Sequence, residues 1–226
     1  MNKISLPEFC LVLLVGPSGS GKSTFAHKHF LATEIVSSDA CRGVVADDEN
    51  DLGATADAFD LLHFIVEKRL KARRLTVVDA TNVRSEDRAS LVKLAKNYHA
   101  LTAAFVFLLP EEVCHARNAD RPDRQFGRHV VRKQLGNLKR GLRRMKNEGI
   151  RFQYRLKSEE EVDAIEIERQ RLWTDKRHET GPFDVIGDIH GCAAELETLL
   201  VKLGYQVSRD GNDYRITPPD DRRVIF

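Results

Sequence analysis

Apolar residues in the first half of the chain fall in short unbroken runs, separated by stretches of helical period. Residues 11–15 (LVLLV) form one such run and end at Gly16. A continuous apolar run of this length suits a parallel strand covered on both faces. Residues 34–37, 75–79 (LTVVD) and 101–109 read as further strands, the last stopped by Pro110. Between them, residues 23–30 read as a helix. Residues 56–70 set Phe59, Leu62, Val66 and Leu70 at helical spacing, and residues 85–98 form a helix that Ser85 is placed to cap. Strands alternating with helices predict an α/β fold with a parallel sheet and right-handed crossovers. Further on, Val131, Leu135, Leu138, Leu142 and Met145 step by four and three and mark one buried stripe. The Glu-rich residues 158–172 read as another helix. The chain then turns polar through residues 173–182 (WTDKRHETGP), which read as a linker. A new strand over residues 183–186 follows and runs into Gly187-Asp188-Ile189-His190-Gly191. The expected organisation is a first domain over residues 1–175, a linker over 176–182 and a second segment over 183–226.

The glycine after the first strand opens the sequence GPSGSGKS, which fits Gly-x4-Gly-Lys-Ser, the phosphate-binding P-loop. Its glycines let backbone N–H groups turn inward around a phosphate. The helix that follows adds its positive end. Lys22 reaches the β- and γ-phosphates, and Ser23 offers a hydroxyl to Mg²⁺. The expected nucleotide-binding set is Gly16, Ser18, Gly19, Ser20, Gly21, Lys22, Ser23 and Thr24, with ATP as the donor. Asp39 follows the second strand, and in open α/β sheets ligands sit beyond the carboxyl ends of strands. Asp39 is either a base for an acceptor hydroxyl or the N-cap of the next helix. Arg42, three residues on, shares a face with Asp39 if a helical turn forms there, and would hold an acceptor phosphate. Asp79 ends the third strand, where a Walker B acid supports Mg²⁺; the other reading is a strand-end turn containing Asn82. Arg117, Arg121 and Arg124 are spaced by four and three. They are either a lid over the transferring phosphoryl group or surface arginines, and Pro122 limits any continuous helix through them.

Composition narrows the class. A chain of 226 residues with 31% charged and 42% hydrophobic residues is an ordinary globular protein. The net charge of +2 hides a local excess: residues 117–155 hold 13 Lys/Arg against 3 Asp/Glu, 13 − 3 = +10. That stretch is a polyanion-binding patch or a solvated helix face. The four cysteines form no CxxC pair, which gives no zinc-ribbon or redox motif and suits a reduced, cytoplasmic protein. No run approaches the ~20 apolar residues of a membrane span, so no membrane partner is expected.

GPSGSGKST, SSDACR, VVDATN and RNADRPDRQFGRHVVRKQ together resemble the kinase domain of bacterial polynucleotide kinase-phosphatases. The resemblance implies a P-loop kinase three-layer fold with a helical lid and an RNA-repair enzyme that phosphorylates 5′-OH polynucleotide ends, with RNA favoured. It implies that Asp39 is the general base, that Arg42 contacts an acceptor phosphate, and that Arg117 and Arg121, with Arg124 more weakly, contact donor phosphates. It also implies homodimers through the kinase domain and, in full-length relatives, a C-terminal ligase-like domain. Gly187–Cys192 (GDIHGC) resembles the first metal motif of calcineurin-like phosphoesterases, with Asp188 and His190 as ligands to Mn²⁺ or a similar ion. Such a centre needs ligands from later strands, so residues 183–226 are expected to be an incomplete, inactive α/β phosphoesterase segment. Two other functions remain open: a small-molecule P-loop kinase acting on a nucleoside or sugar, and an ATP-gated nucleic-acid-binding module.

Overall fold

The computed structural model describes residues 2–120, 127–211 and 213–226. It divides into two compact units, Met1–Leu172 and Trp173–Phe226.

In the first unit, strand β1 (Asn2–Pro7) precedes β2 (Cys10–Val15), the phosphate loop and helix α1 (Lys22–His29). There follow β3 (Ile35–Ser37), α2 (Ser38–Ala46), α3 (Thr55–Lys71), β4 (Thr76–Asp79), α4 (Ser85–Asn97) and β5 (Leu101–Phe107). The unit closes with α5 (Glu111–Ala119), α6 (Arg128–Gly141), β6 (Phe152–Leu156), α7 (Glu159–Asp163) and β7 (Ile165–Gln170). Five strands make one parallel sheet in the order β3-β4-β2-β5-β6. Successive side chains of a strand point to opposite faces, and β2 buries both sets. Leu11, Leu13 and Val15 pack with Leu62 and Val66 of α3 and with Leu91 of α4. Cys10, Val12 and Leu14 pack with Phe25 and Ala26 of α1. Helices thus cover both faces of the sheet, the three-layer α/β arrangement that the unbroken apolar runs predict. Val131, Leu135 and Leu138 are buried on α6, as their spacing predicts, but the helix ends at Gly141 and Met145 is buried from a separate 3₁₀ turn.

Two elements differ from expectation. Residues 158–172 form one short helix and a strand instead of a single helix. Ser158 caps α7, accepting from the Glu161 amide. The chain then extends as β7, which pairs in parallel with β1 from Asn2↔Ile165 to Pro7↔Gln170. The sequence IEIERQ alternates, and Ile165 and Ile167 join Leu6 in the α1-side core. That period of two decides the structure over the high glutamate content. Ser85 does not cap α4: it is the first residue of the helix, and Arg84 before it offers no side-chain cap.

A buried ion pair ties the far end of this unit to the centre. Arg88 of α4 is fully buried and donates to both carboxylate oxygens of Glu148, at 2.7 and 2.6 Å. Its third donation, 2.7 Å to the Asn82 carbonyl, holds the turn after β4. Asn82 has φ of 47° and in turn donates 2.8 Å to the Leu14 carbonyl at the end of β2.

The second unit contains β8 (Phe183–Val185), α8 (Ala193–Lys202), β9 (Gln206–Asp210), β10 (Asp213–Thr217) and β11 (Arg223–Ile225). β8 pairs in parallel with β11, and β9 with β10 forms a hairpin. Leu200 and Tyr205 are its buried apolar residues, and the Tyr205 hydroxyl lies 2.8 Å from Asp184.

Removing one member of a buried ion pair strands the other and costs about 3–5 kcal/mol. Arg88→Met should therefore lower the stability of the first unit by that amount, read as a lower urea midpoint with unchanged slope. An unchanged midpoint would show that the pair carries no net load.

Candidate functional site

The phosphate loop connects the carboxyl end of β2 to α1. Gly21 stands at the N-cap with φ of 85° and no side-chain cap, and α1 carries no acid in its first turn. The N–H groups of that turn are therefore left to the loop's concave side, where an anion is favoured. Gly19 has φ of 78°, and a Cβ there would lie 2.1 Å from the Cys114 carbonyl oxygen of α5. Only glycine fits, on both backbone and contact grounds. Lys22 is buried and its Nζ donates to the Pro17 carbonyl at 2.8 Å, which folds the ammonium over the loop. The Ser18 amide donates to Gln134 Oε1 of α6 at 2.8 Å, and the Ser18 hydroxyl to Asn118 Oδ1 of α5 at 3.2 Å. The two helices after β5 thus brace the loop from the far side.

Beyond the ends of β3 and β4 lies a cavity of about 470 Å³, lined by Ser23, Asp39 and Asp79 together with Ser37, Glu49 and Asn50. Three residues singled out separately in the sequence therefore meet. The capping alternative for Asp39 does not hold: Ser37 caps α2, accepting from the amides of Asp39 and Ala40. The Asp39 carboxylate is instead hydrogen-bonded and ion-paired to Arg42, one turn on, as their spacing predicts. Arg42 is 4% exposed, and its Nε donates to the Glu49 carbonyl at 2.8 Å. The arginine is fixed by the protein, while the Asp39 side chain stays 40% exposed to the cavity. Asp79 is 6% exposed, and its carboxylate has no hydrogen-bond or ion-pair partner among the described residues. A buried carboxylate without a partner is costly. With the Ser23 hydroxyl in the same cavity, the two oxygen donors suit a hard divalent cation.

Arg117 lines a separate cavity of about 290 Å³ with Gly19, Gly21, Thr24 and Lys28. It pairs with Glu159 of α7 at 3.2 Å, both side chains more than two-fifths exposed. Arg121 and Arg124 lie outside the described residues. In the second unit, Asp188 and His190 occupy the loop after β8 with φ of 43° and 41°. Among the described residues, no three His, Cys, Asp or Glu side chains are grouped to hold a metal ion. Glu159, Gln134 and Asn118 carried no signal in the sequence, because each acts through a contact that only the folded chain creates. No described helix is long and apolar enough to cross a membrane.

The AAA domain family AAA_33 matches residues 11–145, more than half of the chain. Among curated proteins, the bis(5′-nucleosyl)-tetraphosphatase PrpE [asymmetrical] of Halalkalibacterium halodurans is 48% identical over 44 residues, 20% of this chain and 16% of that protein. The PrpE of Oceanobacillus iheyensis is 44% identical over 43 residues, again 16% of its length. The chain thus spans about a sixth of the curated relatives it matches. Among solved structures, a putative kinase from Chloroflexus aurantiacus J-10-fl superposes with a TM-score of 0.46 at 16% identity, over 66% of this chain and 88% of that one. A chain of a Pnkp1/Rnl/Hen1 complex gives 0.42 at 27% identity, over 53% and 42%. The Mycobacterium tuberculosis APS kinase CysC in complex with AMPPNP and APS gives 0.45 at 19%, over 70% and 93%.

Gly19→Ala should cost roughly 1–3 kcal/mol through its left-handed backbone, with more from the contact with Cys114; thermal unfolding reads the loss. Burial also sets the thiols apart. It pushes Cys10 up to about 12 and Cys114 up to about 11, and raises Cys41 as well, whereas Cys192 is exposed. A raised thiol value leaves little thiolate at pH 8. Mass spectrometry after brief iodoacetamide treatment at that pH should find Cys192 alkylated and the other three intact. Prompt alkylation of Cys114 would contradict the packing of α5 on the loop.

Proposed function

We propose that this chain, which belongs to the AAA domain family AAA_33, is an ATP-dependent kinase of 5′-hydroxyl polynucleotide ends, with RNA favoured over DNA. One observation carries the reading: Ser23, the last residue of the phosphate loop, lines a single cavity with Asp39 and Asp79, and Arg42 is held against Asp39. In this reading the loop amides and Lys22 hold the β- and γ-phosphates of ATP. Ser23 and Asp79 hold Mg²⁺, which when bound neutralises charge on those phosphates. Asp39 accepts the proton of the acceptor hydroxyl as its oxygen forms a bond to the γ-phosphorus. The bond from that phosphorus to the β–γ bridging oxygen breaks, and ADP leaves. Arg42, anchored by the Glu49 carbonyl, keeps Asp39 oriented, and a contact between Arg42 and an acceptor phosphate belongs to the same proposal. Arg117 stands on the donor side, where the phosphates of ATP would compete with Glu159 for its guanidinium. A lid through Arg121 and Arg124 belongs to the same proposal, as does pairing of two copies through this domain.

A polynucleotide acceptor is favoured over a nucleoside or sugar by the excess of +10 across residues 117–155, counted as 13 − 3. In the second unit we assign Asp188 and His190 to a phosphoesterase-type metal pair for Mn²⁺ or a similar ion.

Incubation with γ-labelled ATP, Mg²⁺ and 5′-OH oligonucleotides should place label on the oligonucleotide. Lys22→Ala and Asp39→Asn should each reduce transfer by about 10²-fold or more. Label found only on nucleosides or sugars, or phosphate release with no labelled acceptor, would replace this reading with the small-molecule kinase or the ATP-gated binding module.

A further inference from the structure

Another cavity of the first unit, about 720 Å³, opens where the start of α4 meets the end of α6. Arg84 stands on one wall, and Lys139, Arg140, Arg143 and Arg144 on the other. All five are exposed, against the single carboxylate of Glu86. Little inside the protein neutralises them. Arg84 lies 3.7 Å from Asp87 at an exposed site, where such pairs contribute little. Arg140 donates to the neutral side chain of Asn137. Lys139, Arg143 and Arg144 have no ion-pair partner among the described residues.

The walls are held at a fixed spacing. A Cβ on Gly141 would lie 3.2 Å from an Arg88 terminal nitrogen and 3.6 Å from the Val83 carbonyl, so α6 ends in close contact with the turn that leads into α4. Arg88 locks that turn through Asn82 and Glu148. The cleft is therefore a built feature and not a chance gap between mobile side chains. No aromatic or large apolar side chain lines it, so it has no platform on which a base or an apolar ligand stacks. What it offers is positive charge spread over two rigid walls, four of the five groups being planar guanidinium forks that match phosphate oxygens.

We propose that this cleft binds the sugar-phosphate backbone of a single-stranded polynucleotide, without regard to sequence. The inference rests on the polynucleotide reading of the acceptor and adds a track beyond the reacting end. Position supports it. Arg84 follows Asp79 by five residues, so their Cα atoms lie at most about 18 Å apart. Asp79 is the last residue of β4, and Arg84 lies in the segment that leads from it into α4. At about 3.4 Å per stacked nucleotide, a strand whose first hydroxyl enters the cavity of Asp39 and Asp79 reaches the cleft within about five nucleotides.

The test needs no catalysis. A fluorescent single-stranded oligonucleotide that already carries a 5′-phosphate is titrated by anisotropy, without ATP, across a salt series. Each phosphate contact contributes about 0.7 to the slope of log affinity against log salt. Arg140→Ala/Arg143→Ala should flatten that slope by about 1.4, and Arg84→Ala on the opposite wall by about 0.7. Polyglutamate should compete poorly. Because all three arginines are exposed, thermal melting should stay unchanged, which separates lost contacts from lost fold. Unaltered slopes in both variants, an oligonucleotide that does not bind, or polyglutamate binding equally well would each overturn the inference. Binding with the expected slopes but no phosphoryl transfer would leave the cleft standing and remove the kinase reading. Transfer with unaltered slopes would do the reverse.

Discussion

Strand β2 is hydrogen-bonded along both edges, to β4 and to β5, and none of its six side chains reaches solvent. Everything placed at the candidate site depends on that position. Each buried leucine or valine contributes about 1.5–3 kcal/mol, whereas fixing a glycine costs only about 0.5–1 kcal/mol more in chain entropy than fixing an alanine in regular structure. The strand can therefore hold a loop at its end in a conformation that the loop would not keep alone. The same parallel pairing sets the register of the neighbours: Leu14 lies opposite Asp79 on one side, and Val36 and Ser37 lie opposite Val78 and Asp79 on the next. The ends of β2, β3 and β4 emerge side by side, which is why Ser23, Asp39 and Asp79 share one cavity despite their separation in sequence.

A second set of contacts keeps that edge of the sheet rigid. Asn82 bonds the end of β2, Arg88 bonds Asn82, and Glu148 bonds Arg88. The chain of hydrogen bonds joins the centre of the sheet to the end of α6. It holds the turn after β4 between the end of β2 and Glu148.

Much of this was legible in the sequence, for a physical reason. Strands buried on both faces announce themselves as unbroken apolar runs, and helices on a sheet show a period near 3.6. Residues 11–15, 75–79 and 101–109 all became central strands within a residue or two. The phosphate loop was equally plain, since its glycines answer local backbone demands. Elements at the periphery were not legible. β7 looked helical because its glutamates mask an alternation that only pairing with β1, at the other end of the unit, makes meaningful. The cap of α2 was uncertain because Ser37 and Asp39 both have the chemistry to cap, and only the backbone at Ser37 decides between them. Gln134, Asn118 and Glu159 were invisible because a polar residue on a helix gives no sign of which loop or arginine it will meet.

The most direct test of the account is a crystal structure with a non-hydrolysable ATP analogue, Mg²⁺ and a 5′-OH oligonucleotide. The account predicts the terminal phosphates within the loop of residues 16–23 and an Asp39 carboxylate oxygen about 2.6–3.2 Å from the 5′ oxygen. A nucleotide bound elsewhere with the loop empty, or a 5′ end turned away from Asp39, would contradict it.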